Sequence, residues 1–426
     1  MSWMEALKEK FIDRLSPATL RSPLLWKTAE GLARSPLNRP AWRADAVALR
    51  YFLQQTARAY RGEGPVVWAS LLFPSELIHA AGAVPFYPEM AAAVISSLDL
   101  APRFLDAAAH AGFSSDTCSF HRVILGAWME GFMPEPACLA AADYLCDSAP
   151  LSFRAVSLRG KKPLALAEVP FRSEGRKVET LGSCLEEAAR RIAAACGVGW
   201  DRYLEGLEGA VELSNRARLQ LREVEELRRE HPLLLDGRDA LGHLSMLASS
   251  FGHPAGERFY GELAAELRER AGERGAETDG DAATDGVKRL LWMHLKPYYP
   301  HHLFDHLERH GGRIVCEEYN RCYWEEMDPL RPFASLARKL AGHFGVGSGE
   351  RRARAMRELA LSYRVDGAVH FNHWGCRQSA GGAALVREAL KKEGIPVLLL
   401  EGDCIDGREY QEGQVSTRLE AFLEAL

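Results

Sequence analysis

The chain has 426 residues, 47% hydrophobic and 26% charged, and a formal net charge of −5. That length exceeds one typical hydrophobic core and points to two or more domains of ordinary globular composition. The charge leaves no footprint for nucleic acid, no apolar run nears the ~20 residues of a bilayer span, and MSWMEALKEKFIDRL lacks a signal peptide's apolar stretch. A cytoplasmic location with no nucleic-acid or membrane partner is therefore expected.

Residues 1–60 read as a helical N-terminal segment. Trp3, Leu7, Phe11 and Leu15 recur at four-residue spacing, and a second helix is expected near 43–60. Residues 61–180 read as a first α/β domain. PVVWASL is a short apolar strand that Ser70 ends. SELIHAAGA starts a helix with Ser75 as its N-cap, and VPFY and PLALAEVPF are further strands. Apolar strands followed directly by helices imply a parallel sheet covered on both faces. Residues 181–287 form a helical region with charges and leucines at helical spacing, ending in a flexible loop at 271–286. Residues 288–426 return to strand–helix alternation, with RLLWMHL, GRIVCEEY, GAVHFNHW and IPVLLLEGD as strands. The fold class expected is α/β, with two doubly wound parallel-sheet domains of Rossmann or flavodoxin-like type.

Nine cysteines, an odd number in a cytoplasmic chain, argue against a disulfide framework. Cys184 and Cys196 fall at helical positions and read as small buried hydrophobes. Cys118 in DTCSFHR opens a helix, where the macrodipole favours thiolate. Cys146 in YLCDS and Cys376 in HWGCRQ follow apolar stretches, at the strand ends where doubly wound sheets collect ligands. The two spacings between them match no compact zinc or ferredoxin pattern. The residues alone leave two readings open: three thiolates that converge on iron, or free cysteines that are buried and inert.

Six stretches carry a family resemblance: FPSELIHAAGAVPFYPE, DTCSFHR, YLCDS, RIVCEEYN, DGAVHFNHWGC and GIPVLLLEGDCIDGREYQEGQVSTRLEAFLE. Over residues 65–150 and 310–426 the chain resembles the 2-hydroxyacyl-CoA dehydratase / benzoyl-CoA reductase family, in particular its 2-hydroxyglutaryl-CoA dehydratase D-component type. The resemblance implies a [4Fe–4S] cluster held between two α/β domains by Cys118, Cys146 and Cys376, with a fourth iron ligand that is not a protein cysteine. It implies a lyase subunit. One electron enters the thioester carbonyl of a 2-hydroxyacyl-CoA, the ketyl radical anion expels the hydroxyl, and a 2-enoyl-CoA results. Implied partners are the acyl-CoA substrate, a homologous second subunit (or a second copy in a homodimer) and a separate ATP-dependent iron–sulfur activator, in an anaerobic setting. The sequence contains no Walker A motif, in keeping with ATP use elsewhere.

The resemblance also implies that Ser70 and Glu89 bind the substrate hydroxyl and move a proton. The dull reading makes them a cap residue and a surface acid after a proline turn. Family relatives include reductases, some with a larger double-cubane cluster, and electron-relay subunits without catalysis. For such an assembly Cys322 and Cys404 are open candidates, whereas Cys316 reads as core. Glu76 reads as a first-turn carboxylate serving a helix dipole. His121 and Arg122 read as cluster or phosphate partners or as helix surface. His370, His373 and Trp374 read as packing around Cys376, and Asp403 and Arg418 as fixing the last strand and helix. His302, His306 and His310 share one helix face in HHLFDHLERH, as a solvated stripe or a metal site. GVGSGE follows a helix, so it reads as a loop with Ser348 capping the next helix rather than as a phosphate loop.

Overall fold

Two four-stranded sheets, both wholly parallel, organise the chain. The computed structural model describes residues 15–34, 40–171, 176–275 and 286–426. Trp3, Leu7 and Phe11 of the expected first helix lie outside them. Among the described residues a single helical turn, Pro17–Leu20, and two longer helices, α1 (Pro23–Arg34) and α2 (Arg43–Arg61), precede the first sheet. Gly62 stops α2 in a left-handed conformation, with φ of 67°.

The first sheet contains β1 (Val66–Ala69), β2 (Val84–Phe86), β3 (Cys138–Ala142) and β4 (Leu164–Ala167) in the order β2-β1-β3-β4. Its helices are α3 (Ser75–Ala80), α4 (Pro88–Ser97), α5 (Ala101–His110), α6 (Ser119–Met129) and α7 (Ser148–Gly160). The second sheet contains β5 (Lys288–Met293), β6 (Gly312–Glu317), β7 (Gly367–His373) and β8 (Val397–Gly402), ordered β6-β5-β7-β8. Its helices are α12 (Leu303–Arg309), α13 (Pro332–Gly342), α14 (Gly349–Ser362), α15 (Ala383–Lys391) and α16 (Glu412–Glu424). Between the sheets run α8 (Arg176–Cys196), α9 (Trp200–Glu230), α10 (Gly237–Ser249) and α11 (Pro254–Gly275). Each sheet follows one winding: its first strand is central, its second lies to one side, and its third and fourth lie to the other. The expected pair of doubly wound sheets is thus observed.

Burial explains the strands. Every residue of β1 and β3 is buried, so each strand is an apolar run rather than an alternation. In the 31-residue α9, Tyr203, Leu207, Ala210, Val211, Ser214, Ala217, Leu221 and Val224 form a buried stripe at helical spacing. This helix packs on α3 and α11, while α8 packs on β3, β4 and α13, and α10 packs on β6. One apolar cluster joins the halves directly, uniting Phe104 and Ile124 of the first with Trp292, Phe371 and Leu419 of the second. Buried polar links reinforce it. Ser96 Oγ donates to Ile405 O at 2.7 Å, and Ser119 Oγ to Asp403 Oδ1 at 2.6 Å.

Several local expectations change. Ser75 is the first residue of α3, not its cap; Pro74 holds that position, and the Ser75 hydroxyl donates to Phe251 O. Ser348 occupies the N-cap of α14 but makes no capping bond from its side chain. The segment expected as a loop begins helical, since α11 continues to Gly275; residues 276–285 lie outside those described. Trp374 does not pack around Cys376 but stands exposed.

Candidate functional site

A cavity of about 200 Å³ opens where the carboxyl ends of the two sheets face each other. Its walls include the segments that follow β1 (Ser70–Pro74), β3 (Tyr144–Cys146) and β5 (His294, Leu295), the last residue of β7 (His373) and Cys376 just beyond it. These strands flank the point in each sheet where the winding reverses, the usual ligand position of doubly wound folds. Cys118, Cys146 and Cys376 all line it.

Each cysteine arrives differently. Cys118 is the N-cap residue of α6, Cys146 follows β3, and Cys376 precedes the single helical turn Arg377–Ala380. Gly375 brings the first and third together. It has φ of 71°, and a Cβ there would stand 3.2 Å from Asp116 O and 3.3 Å from Cys118 Cα. Only glycine accepts both the left-handed conformation and that approach. The Cys376 loop is held from behind by Arg352. Its guanidinium pairs with buried Glu318 at 2.6 and 2.9 Å and donates to Gln378 O and Ser379 O. Cys118 is held by Asp403, whose Oδ1 accepts from Ser119 Oγ and from the N–H groups of Ile405 and Asp406.

Burial raises all three thiols: Cys118 well above its ordinary range, Cys146 to about 12, and Cys376 also upward. The helix-start effect expected to favour a Cys118 thiolate is overridden. Burial and the neighbouring Cys146 and Cys376 outweigh the Phe120 backbone N–H. Cys118 feels both other thiols, and Cys146 feels Cys376, so the three lie near enough to raise one another. Three buried thiols that resist ionising alone and reach one cavity from separate loops suit an iron–sulfur cluster, whose several irons span more than a single ion does. The residues present fit the implied cluster.

Each thiol also touches a buried imidazole. Cys118 Sγ lies 3.3 Å from His373 Nε2, Cys146 Sγ 3.5 Å from His121 Nε2, and Cys376 Sγ 3.5 Å from His294 Nε2. His373 Nδ1 accepts the Cys404 N–H at 3.0 Å, which leaves its proton on Nε2, directed at Cys118. The Ser152 hydroxyl donates to Ala149 O, so His121 Nδ1 donates to Ser152 Oγ at 2.8 Å and its Nε2 lone pair faces Cys146. His294 sits at φ of 69°, with its Nδ1 buried and unpartnered and its N–H given to Glu318. Burial drives these imidazoles neutral: His121 falls to about 3, His294 well below its ordinary value, and His373 downward.

Glu89, in the first turn of α4, is buried and lines the same cavity. Burial raises its carboxyl to about 8, against its own and the Leu71 backbone N–H groups. Its Oε2 has no hydrogen-bond partner. Ser70, also in the lining, accepts the Ala142 N–H at 3.2 Å. Glu76 lies in the first turn of α3, as expected, and is fully buried: it pairs with Lys339 at 2.6 Å and accepts from Ser214 at 3.0 Å. Lys339, at the cavity wall, is thereby neutralised. The rest of the lining is largely apolar, with Leu71, Phe73, Leu244, Leu247, Trp324 and Leu340.

The structure thus brings Ser70, Glu89, Cys118, Cys146, Cys376, His121 and His373 to one cavity and leaves others out. Arg122 donates to Thr117 O, and His370 lies 3.4 Å from Ser379 Oγ. Arg418 donates to Leu399 O at 2.6 Å, fixing α16 on β8. Cys316 is core, and the Cys322 thiol turns to Trp324 O. Cys404 is fully buried; it feels Cys118 and Cys376 but does not line the cavity. Sequence reasoning misses His294, Tyr144, Tyr323, Lys339 and His343, all of which line it. For His294 the available signal is its place just after a central strand.

Facing sheet ends, three thiols and a buried carboxyl meet at the apolar pocket of this two-domain α/β protein. A family model described as 2-hydroxyglutaryl-CoA dehydratase, D-component, matches residues 70–426, and the chain belongs to that family. It is 23% identical to the (R)-phenyllactyl-CoA dehydratase alpha subunit of Clostridium sporogenes, over 86% of this chain and 90% of the relative. It is 21% identical to the (R)-2-hydroxyisocaproyl-CoA dehydratase alpha subunit of Clostridioides difficile, over 88% and 93%. It is 22% identical to one of the subunits of benzoyl-CoA reductase from Thauera aromatica, over 74% and 77%. Among the described residues no helix is long and apolar enough to cross a membrane.

Proposed function

We propose that the chain is an iron–sulfur subunit of a 2-hydroxyacyl-CoA dehydratase, a hydro-lyase that forms a 2-enoyl-CoA by ketyl-radical elimination of water. The observation that carries this reading is the meeting of Cys118, Cys146 and Cys376 in one cavity with Glu89. Those three sulfurs would hold a [4Fe–4S] cluster, which when bound supplies one-electron chemistry and a Lewis-acidic iron. The fourth ligand would not be a protein cysteine. Glu89, protonated at neutral pH, gives its proton to the departing hydroxyl, and Ser70 orients that hydroxyl. His373 directs its Nε2–H at Cys118, and His121 and His294 screen the other two sulfurs from water.

The apolar lining favours a neutral acyl group. Lys339 is the lining's one lysine or arginine among the described residues, and Glu76 already occupies it, so a distal carboxylate would enter without a partner. A second, homologous subunit is expected, since relatives are named alpha subunits. A separate ATP-dependent activator supplies the electron, and the whole system works anaerobically in the cytoplasm. A second reading, a benzoyl-CoA-reductase-like enzyme, draws on the similarity to the Thauera aromatica protein. A double-cubane assembly draws less support, because neither Cys322 nor Cys404 lines the cavity.

The test is anaerobic purification with iron, sulfide and EPR analysis, wild type beside Cys376→Ala. About four irons per chain and a cluster signal lost in the variant are expected. Protein that takes up no iron and sulfide on reconstitution, or an unchanged signal in Cys376→Ala, overturns the reading. Turnover of an acyl-CoA with activator separates a dehydratase from a reductase; a loaded chain with no acyl-CoA affinity is an electron relay.

A further inference from the structure

A second cluster of ligating side chains lies on the second half, among residues outside the cavity lining. His306 in α12, His310 just after it and Glu420 in α16 each present a donor atom, and all three atoms fall within 4.8 Å of one another. His306 Nε2 is 2.9 Å from Glu420 Oε1, and His310 Nε2 is 3.5 Å from the same oxygen. Donors about 2.0–2.1 Å from a tetrahedral zinc stand about 3.3 Å apart. Two edges of the triangle are therefore already near the required length.

Two details separate this trio from an ordinary ion pair. His306 Nε2 is buried and has no hydrogen-bond partner, although Glu420 Oε1 is so near; their relative angle is not one that a hydrogen bond takes. The His310 Nδ1 lies 2.8 Å from the His306 carbonyl oxygen, to which it can only donate. That bond puts the proton on Nδ1 and leaves the Nε2 lone pair free toward Glu420, the arrangement that prepares an imidazole to bind metal. His302, the third histidine of the stripe, takes no part; it is exposed and lies 3.5 Å from Asp305.

We propose that His306, His310 and Glu420 form a divalent-cation site suited to Zn²⁺, with two imidazole nitrogens, one carboxylate oxygen and a fourth position for water. His310 and Glu420 are partly exposed, so the ion has a path in. Bound there, zinc ties α12 to α16, whose Phe422 packs on Gly367 of β7. The site is independent of the cysteine cavity.

The experiment titrates the purified full chain with Zn²⁺ against a chromophoric chelator, and with Co²⁺ by absorption. Wild type is compared with His310→Ala, Glu420→Gln and Cys376→Ser. Wild type is expected to bind one Zn²⁺ per chain that Cys376→Ser keeps, and that raises the unfolding temperature. In His310→Ala and Glu420→Gln that affinity falls more than ~10-fold and the temperature shift is lost. Co²⁺ at this site gives weak visible bands without the intense sulfur-to-metal absorption that cysteine sites produce. Equal Zn²⁺ binding and equal thermal shifts in wild type and both site variants overturn the proposal. So does a Zn²⁺ equivalent that disappears in Cys376→Ser alone.

Discussion

Replacing Glu89 by glutamine tests the acid at the centre of the proposed chemistry. Burial raises the Glu89 carboxyl from 4.5 to about 8. At about 1.4 kcal/mol per unit, ionising it in the folded protein costs on the order of 5 kcal/mol more than in the unfolded chain. The sign follows from proton counts. Between pH 4.5 and about 8 the folded state keeps a proton that the unfolded chain has released. Stability from this group is therefore complete below the unfolded value and is lost as pH rises through the folded one. Glu89→Gln cannot ionise and escapes that loss. Urea unfolding of both proteins from pH 5 to 8.5 should show wild type losing roughly 3–4 kcal/mol relative to the variant. Other titrating groups are common to both and cancel in the difference. Infrared spectra at neutral pH should contain a protonated carboxyl band that the variant lacks, and turnover should fall about 10²–10⁴-fold. Unfolding curves separated by a constant amount at every pH would refute the buried, protonated acid and remove Glu89 as proton donor.

Gly375→Ala should lower stability by about 1–3 kcal/mol and reduce iron uptake, because the left-handed turn and the contact with Cys118 both resist a methyl group; thermal unfolding and iron analysis read the two effects. Arg352→Met leaves Glu318 buried without its cation and should cost about 3–5 kcal/mol, measured by denaturant unfolding, and should loosen the Cys376 loop. Ser119→Ala removes one of the donors to Asp403 and should cost about 1–3 kcal/mol by the same measurement. Acyl-CoA thioesters with neutral side chains should bind at least ~10-fold more tightly than equally long ones ending in a carboxylate, by calorimetry; the reverse order would refute the reading of Lys339 as already paired.

Much of the fold is legible where strands are apolar runs with β-branched residues. VVWA, RIV and IPVLLL read as strands because such residues suit buried parallel sheets. Cys138–Ala142 is legible only as the end of an apolar stretch ahead of Cys146, without bounds: three of its five residues are alanine, whose intrinsic preference is helical, and burial on both faces makes it β3. The thiol trio is visible in the sequence as residues but not as a site. Convergence from three loops is tertiary information, and family resemblance supplies what spacing does not. The first-turn place of Glu76 is legible, but its burial against Lys339 is not, because that partner lies 263 positions away. The histidine stripe extends one residue too far in the sequence: α12 starts at Leu303, and Glu420 from the last helix completes the group that His302 is expected to join.

The repeated winding relates the three cysteines of the cavity to one another. Cys146 and Cys376 are topological counterparts, each a few residues beyond the third strand of its sheet. A symmetric pair of domains would add two more thiols from the helices that lead into those strands. The first half supplies one, Cys118 at the N-cap of α6. In the second half the corresponding helix is α14, and its N-cap is Ser348. Ser348 is exposed and does not line the cavity, so the second half contributes one cysteine to the lining, Cys376, against two from the first. The first half also supplies Ser70 and Glu89, while Tyr319, His343 and Gln378 come from the second. The asymmetry between the halves therefore lies at these helix starts: a buried cysteine in one, an exposed serine in the other.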